Sequence, residues 1–196
     1  MAARRSILAG VDGSPGALHA VRWAAGEAAR RHVSLRLCHV RGEGGERGGE
    51  WLRAAEWAAR DLAPGIEVRR LSPSGEVCPT LVRESADAAL TVLGPGPVAV
   101  AVAAACSPVV VVRGRTPGEP PPDGGPVVAG GSGAAVEFAA GEAVLRGAGL
   151  ISAPGSLLVR SAGARLVVVG AGAAAGLGET ALALLRHGGC PVAVVR

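Results

Sequence analysis

The sequence contains no lysine, asparagine, glutamine or tyrosine, and only 2% of its residues are aromatic. All 20 basic residues are therefore arginines. We attribute this to the codon bias of a GC-rich genome rather than to selection for arginine chemistry. The formal net charge is +4. Because the arginines are scattered and no aromatic side chains interleave with them for base stacking, we expect no nucleic-acid partner.

Long apolar runs and cysteine motifs are also missing. No purely apolar stretch reaches the length of about 18 residues that a membrane span needs, because Pro97, Ser107 and Pro108 interrupt the nearest candidate. The four cysteines have no CxxC spacing, and the four histidines do not cluster with them. We therefore expect neither a metal site nor a disulfide framework. No Ser-His-Asp arrangement or carboxylate pair suggests catalysis. These absences predict a cytoplasmic protein that neither contacts a membrane nor acts as an enzyme.

The sequence does contain a regular alternation of strand and helix patterns. Residues 6–14, SILAGVDGS, read as a buried strand that runs into an Asp-Gly-Ser turn, and a helix begins at Pro15. Proline is favoured in the first turn of a helix. The alternation continues to residue 112 and predicts an α/β fold with an open, parallel, five-stranded sheet and helices on both faces. We expect strands at 7–11, 34–40, 66–71, 90–93 and 109–112, and helices at 15–32, 50–63, 75–88 and 98–106.

Residues 115–125, RTPGEPPPDGG, predict a stiff linker between two domains. The domain before it comprises residues 1–114 and the one after it residues 126–196. AVRWAAGEAARR from residue 20 matches AVEFAAGEAVLR from residue 135, and TLVRESADAALTVLG from residue 80 matches SLLVRSAGARLVVVG from residue 156. The offset falls from 115 to 76, so the second copy has lost 39 residues between its first helix and its third, and it rises to 84 at the closing strand, so the first copy is 8 residues shorter there. We interpret the loss as the β-α-β piece of residues 34–71, which leaves the second copy without a second strand.

Four pieces of sequence together resemble the universal stress protein family. They are a first strand ending in Val-Asp-Gly-Ser-Pro, the helix GEVCPTLVRESADA, the strand LTVLG and a closing strand CPVAVVR. The resemblance implies an open five-stranded α/β fold, and tandem copies joined by a linker are usual in that family. Many members bind ATP at the carboxyl edge of the sheet, others bind none, and many dimerise through the last strand.

The resemblance implies a nucleoside site in the first copy. Asp12 would be the carboxylate that holds the nucleoside, Val11, Gly13 and Ser14 would form the turn around it, and Val40 would lie beside the adenine. The second copy has GGSG at residues 130–133 and no counterpart of Asp12. The alternative for Asp12 is a turn or N-cap aspartate with no ligand.

The phosphate half of the site departs from the family pattern in both copies. The first copy has Gly94 and Gly96 but no long glycine loop, and Pro95 and Pro97 remove N–H donors. The second copy has a glycine loop that includes Gly170, Gly172, Gly178 and Thr180. This loop is short, and Glu179 stands where the family has Ser or Thr, so a carboxylate would repel phosphate. The alternative is a tight turn without a ligand. A dinucleotide-binding turn is rejected, because no acidic residue follows Glu179.

We predict a non-enzymatic regulatory module of the stress response that binds adenine nucleotide weakly at the first copy. Its ligand would be ATP or, better held, AMP or adenosine, with Mg²⁺ only if ATP is bound. The alternative is a structural or interaction protein with a dead nucleotide site. The second copy would then cover the edge strand 109–112 with its own strand 192–195, as an internal version of the family dimer. A protein partner or a homodimer through the last strands is compatible with both hypotheses.

Overall fold

The computed structural model describes residues 6–42, 47–96, 99–116, 118–131, 133–152, 155–171 and 176–196; for residues 99 and 100 it describes the backbone alone. The chain divides into two compact units, Met1–Ser107 and Pro108–Arg196. The division falls before the last strand of the first predicted domain rather than after it. The domain boundaries at 114 and 126 remain a prediction.

The first unit is a parallel α/β layer. Its sheet has the order β3-β2-β1-β4, and each described pair of neighbouring strands is parallel. Helix α1 packs against α2, and α3 packs against α4. The elements are β1 (Ser6–Gly10), α1 (Pro15–Arg31), β2 (Leu35–Cys38), α2 (Gly48–Leu62), β3 (Val68–Leu71), α3 (Val77–Ser85), β4 (Ala88–Leu93) and α4 (Ala99–Ala104).

Strand order determines where the site of the first unit lies. The chain leaves β1 towards β2 on one side, while β4 lies on the other side of β1. With right-handed crossovers, α1 and α3 then cover opposite faces of the sheet. The carboxyl ends of β1 and β4 therefore border the crevice in which open α/β folds bind ligands.

The described residues of the second unit form five strands in the order β5-β9-β8-β6-β7. Strands β6 to β9 are parallel, whereas β5 pairs antiparallel with β9, with Val109 opposite Val194. The elements are β5 (Val109–Val111), β6 (Val127–Gly130), α5 (Ala134–Arg146), β7 (Leu150–Ser152), α6 (Leu157–Ser161), β8 (Leu166–Gly170), α7 (Glu179–His187) and β9 (Val192–Val195).

The expectation that the second copy has no second strand is wrong. Strand β7 pairs in parallel with β6 and aligns Val127 with Leu150, just as β2 aligns Ile7 with Leu35. Among the described residues, the second unit has no element that corresponds to α2 or β3. The sequence did not predict β7 because this strand has only three residues, all of them exposed, and therefore shows no alternation of buried and exposed positions.

The α/β fold and its order of elements are confirmed, with most element ends shifted by one to three residues. The largest differences are in α3, which starts at Val77 rather than 75 and ends at Ser85 rather than 88, because Ala88 already belongs to β4. The described residues of the predicted linker contain neither helix nor strand.

Candidate functional site

The turn after β1 orders its own polar groups. The N–H of Ser14 donates to Oδ1 of Asp12 at 2.9 Å, which closes an Asx turn. The hydroxyl of Ser14 accepts from the N–H of Ala17 at 3.1 Å and caps α1. Gly13 between them has φ +81°, a conformation that favours glycine. Asp12 is therefore a turn residue, while the N-cap is Ser14, and the exposed Asp12 carboxylate remains able to contact a ligand.

The ladder between β1 and β2 ends at His39. The N–H of Val11 donates to the C=O of Cys38 at 2.8 Å, so the next rung of a parallel ladder would join Val40 N–H to Val11 C=O. Instead, Nδ1 of the buried His39 donates to that carbonyl at 2.8 Å. Among the described residues, no backbone group pairs with the N–H or C=O of Val40. One donor and one acceptor thus remain available side by side at the end of β2.

An aromatic pair stands over the Asp12 turn. The ring centroids of His39 and Trp51 are 5.1 Å apart at an interplanar angle of 84°, a T-shaped contact. A Cβ on Gly13 would lie within 2.6 Å of the indole atoms Cδ2 and Nε1 of Trp51. A Cβ on Gly48 would likewise lie 2.6 Å from Nε2 of His39. Both glycines are therefore needed for the two rings to occupy these positions.

These groups surround a cavity of about 350 Å³ in the first unit. That volume lies at the lower end of the range for small-molecule sites. The lining is largely apolar, with Asp12 and His39 among its few polar residues. Five predicted site residues line it, namely Val11, Asp12, Val40, Gly94 and Gly96, while Gly13 and Ser14 complete the turn at its edge. A larger open cleft of about 960 Å³ borders Ser6 and Arg36 at the opposite, amino end of the strands.

The side of the cavity predicted for phosphates is closely packed. A Cβ on Gly94 would lie 2.9 Å from the backbone N of Ala17, so Gly94 is required for β4 to approach the start of α1. The ring of Pro95 lies against Gly16, where a Cβ would be 2.8 Å from Pro95 Cδ. The N–H groups of Ala17 and Leu18 already donate to Ser14. Pro97 lies outside the described residues.

The second-copy residues predicted to contact phosphate belong to the second unit. Gly170 ends β8, Gly178 precedes α7 with an extended backbone, and Thr180 is exposed in its first turn. Glu179 occupies that same turn, where its carboxylate interacts favourably with the helix dipole. Gly172 lies outside the described residues.

The same parts of the chain contain neither a cluster of metal ligands nor a membrane span. No group of three or more His, Cys, Asp or Glu side chains there could hold a metal ion. No helix among the described residues is long and apolar enough to cross a bilayer. The four cysteines are free. Burial raises the pKa of the Cys38 thiol to about 11 and that of Cys190 to about 12, so both remain protonated at neutral pH.

The order of strands and helices, with a cavity at the carboxyl edge of the first sheet, defines an α/β protein of the Rossmann-like type. Residues 3–93, just under half of the chain, match the model of the Universal stress protein family. No curated protein matches the chain.

Solved structures agree with this fold. A universal stress protein from Archaeoglobus fulgidus DSM 4304 is 13% identical, with a TM-score of 0.71 over 99% of each chain. A functionally unknown protein, PA1789 of Pseudomonas aeruginosa PAO1, is 15% identical and has a TM-score of 0.65 over 98% of this chain and 92% of its own. A putative universal stress protein from Pseudomonas aeruginosa UCBPP-PA14 has a TM-score of 0.64 at 15% identity, over 98% and 93%. Identities this low establish the fold alone.

Proposed function

We propose that the first unit binds an adenine nucleoside, as adenosine or AMP, and that the protein is a cytoplasmic, non-enzymatic regulatory module of the stress response. The N–H and C=O of Val40, for which the described part of the chain supplies no backbone partner, carry this proposal. Adenine presents an acceptor at N1 beside a donor at N6, which matches this pair of backbone groups. Guanine presents the reverse order, with an acceptor at O6 and a donor at N1. The Asp12 carboxylate, at the same cavity, is suited to a ribose hydroxyl.

The packing around Gly94 and Pro95 supports a preference for few phosphates. A triphosphate needs converging N–H donors, whereas Pro95 has none and Ser14 uses those of Ala17 and Leu18. We therefore expect ATP to bind more weakly than adenosine, and Mg²⁺ to be relevant only if ATP is held.

We also propose that residues 126–196 are a truncated second copy. The register supports this, because Ile7 is opposite Leu35 and Leu90, while Val127 is opposite Leu150 and Leu166. Leu150 follows Leu35 by 115 residues and Leu166 follows Leu90 by 76, which are the offsets of the sequence repeat, whereas Val127 follows Ile7 by 120. Buried Glu27 and Glu142, also 115 residues apart, each pair with an arginine four residues later.

Calorimetric titration of the full chain with adenosine, AMP, ADP and ATP, each with and without Mg²⁺, tests the ligand. We expect adenosine and AMP to bind without a magnesium effect and ATP to bind more weakly. Tight ATP binding that depends on Mg²⁺ would contradict the preference for few phosphates. If adenosine and AMP both fail to bind, the proposal that the first unit binds an adenine nucleoside is wrong.

Asp12 variants test the position of the site. Asp12→Asn retains an oxygen that accepts from Ser14 N–H, whereas Asp12→Ala loses the turn as well. We expect both to weaken adenosine binding by about threefold or more, since each removes a charged hydrogen-bond acceptor. Adenosine affinity that is unchanged in both variants would contradict the assigned site.

The second candidate function is structural, with no ligand. The antiparallel pairing of β5 with β9 supports it, because β9 covers an edge of β5 that would otherwise expose a row of valines. In that case the second copy serves as an internal substitute for a dimer partner. A chain that binds no nucleoside and remains monomeric at high concentration in ultracentrifugation would favour this function.

A further inference from the structure

The half-buried indole of Trp51 is part of the cavity wall beside the Asp12 turn. The first unit also contains Trp57, one helical turn and a half further along α2, which is 67% exposed and does not line the cavity. Their different surroundings suggest that Trp51 has a role beyond filling space.

The indole is held in one orientation from several sides. His39 packs against it in a T-shaped contact and is itself anchored to the Val11 carbonyl. Gly13 brings the backbone of the turn against the indole, and Gly48 makes room for the imidazole. An aromatic ring that is already fixed loses little conformational entropy when a ligand packs on it.

The cavity around the indole has the chemistry of a site for a flat, uncharged ring. Its wall is mostly aliphatic, and Val40 at the end of β2 presents one backbone donor and one acceptor. Aromatic side chains bind nucleobases by stacking, which contributes substantially to affinity whichever base is bound.

We propose that Trp51 is the stacking platform for the base of the bound nucleoside, and that the His39–Trp51 pair makes this unit a receptor for planar purine rings. This inference rests on the proposed nucleoside site and adds the group that recognises the base. Stacking then supplies affinity, while the backbone of Val40 supplies the discrimination between adenine and guanine.

The test compares Trp51→Ala, Trp51→Leu and Trp51→Phe in the full chain, with Trp57→Leu as a control on the same helix. Leucine fills most of the space without an aromatic face, and phenylalanine retains the face. Adenosine and guanosine affinities are measured by calorimetry, and thermal unfolding of each variant is recorded, so that loss of folding is separated from loss of binding.

We expect Trp51→Ala and Trp51→Leu to weaken adenosine binding by about tenfold or more, as base–aromatic stacking implies. Trp51→Phe should remain within about threefold of wild type because it retains a stacking ring, and Trp57→Leu should be unchanged. Adenosine binding that is equal in wild type, Trp51→Leu and Trp51→Phe overturns the stacking role while the nucleoside site stands. Wild-type protein that binds neither nucleoside overturns both. If Trp51→Ala fails to fold, the contrast between leucine and phenylalanine still decides.

Discussion

The hydroxyl of Ser161 makes the same pair of hydrogen bonds in the second unit as the hydroxyl of Ser85 in the first. Ser85 Oγ donates to Val82 C=O at 2.6 Å and accepts from Cys106 N–H at 2.8 Å. Ser161 Oγ donates to Leu158 C=O at 2.6 Å and accepts from Gly189 N–H at 2.9 Å. Each serine thus joins the end of a helix to the segment that leads into a valine-rich strand.

Replacing either serine leaves a polar group of this junction without its partner. We expect Ser161→Ala and Ser85→Ala each to lower the free energy of unfolding by about 1–3 kcal/mol, as measured by urea denaturation. Ser156→Ala is the matched control, because Ser156 is exposed and its side chain caps nothing. If Ser156→Ala lowers the free energy of unfolding as much as Ser161→Ala does, the hydrogen bonds of Ser161 do not account for the loss.

Gly48 and Gly49 provide a test of the aromatic pair. A Cβ at Gly48 would collide with the His39 ring, whereas one at Gly49 would meet only Arg53 at 3.8 Å. We expect Gly48→Ala to lower stability by about 1–3 kcal/mol through overpacking, and Gly49→Ala to be neutral or stabilising, since alanine favours helix. Gly48→Ala should also weaken adenosine binding. Equal stability of the two variants in urea denaturation would contradict the close packing of Gly48 against the His39 ring.

The cysteines predict a dependence of stability on alkaline pH. Burial raises the pKa of Cys38 to about 11 and that of Cys190 to about 12, from an ordinary value of 9.0. Above about pH 9 the unfolded chain releases these protons first, so stability should fall as pH rises from 9 towards 12 and should be unaffected by these thiols below 8. Thermal unfolding of wild type and of the Cys38→Ala/Cys190→Ala variant measures the effect.

The double variant should show a shallower fall in stability between pH 9 and 11 than wild type.

A thiol reagent at pH 8 should label Cys106 and Cys78 in the folded protein, since Cys106 is exposed and Cys78 half-buried, and should reach Cys38 and Cys190 only after denaturation. Rapid labelling of all four cysteines in the folded state would disprove the burial of the other two.

Strand β9 has neighbours on both sides, unlike the edge strand of the first unit's sheet. Val194 is opposite Val109 of β5 and Val169 of β8. Val194→Pro removes an N–H and distorts a central strand, so we expect a loss of about 2 kcal/mol or more. Arg70→Pro in β3, which pairs with β2, is the control, because edge strands tolerate proline. Urea midpoints that fall equally in both variants would contradict the central position of β9.

Most of the fold was predictable from the sequence because buried apolar residues occur in patterns that are typical of strands and helices. Strand β8 is an apolar run, β4 is apolar except for Thr91, and α1 is marked at its start by Ser14 and Pro15. Strand β7 has no such pattern of buried residues, since Leu150 and Ile151 are both exposed. The offsets of the predicted repeat give the number of residues by which the two copies would differ, but they do not give the position of the difference to within the three residues of β7.

The candidate site was predictable only in part. Asp12 and Val40 follow strands directly, and parallel strands bring their carboxyl ends to one edge. The roles of His39 and Trp51 depend on a contact between rings 12 positions apart, made possible by Gly13 and Gly48. No periodicity encodes such a contact. The sequence predicts Trp51 on the apolar face of its helix. The signal that could have revealed the contact was the presence of Gly13 and Gly48, which leave room for the two rings.

The short connection between β7 and α6 affects how many ligands one chain can hold. Residues 153–156 alone span this connection, where the first unit has α2 and β3. The indole and the glycine that admits the imidazole both come from α2. The described residues of the second unit include no counterpart of α2, so under the proposed function this unit lacks the groups that would hold a base. We therefore expect a titration to saturate at one equivalent of nucleoside per chain. The surface of the second unit is then free to diverge without any cost to ligand recognition.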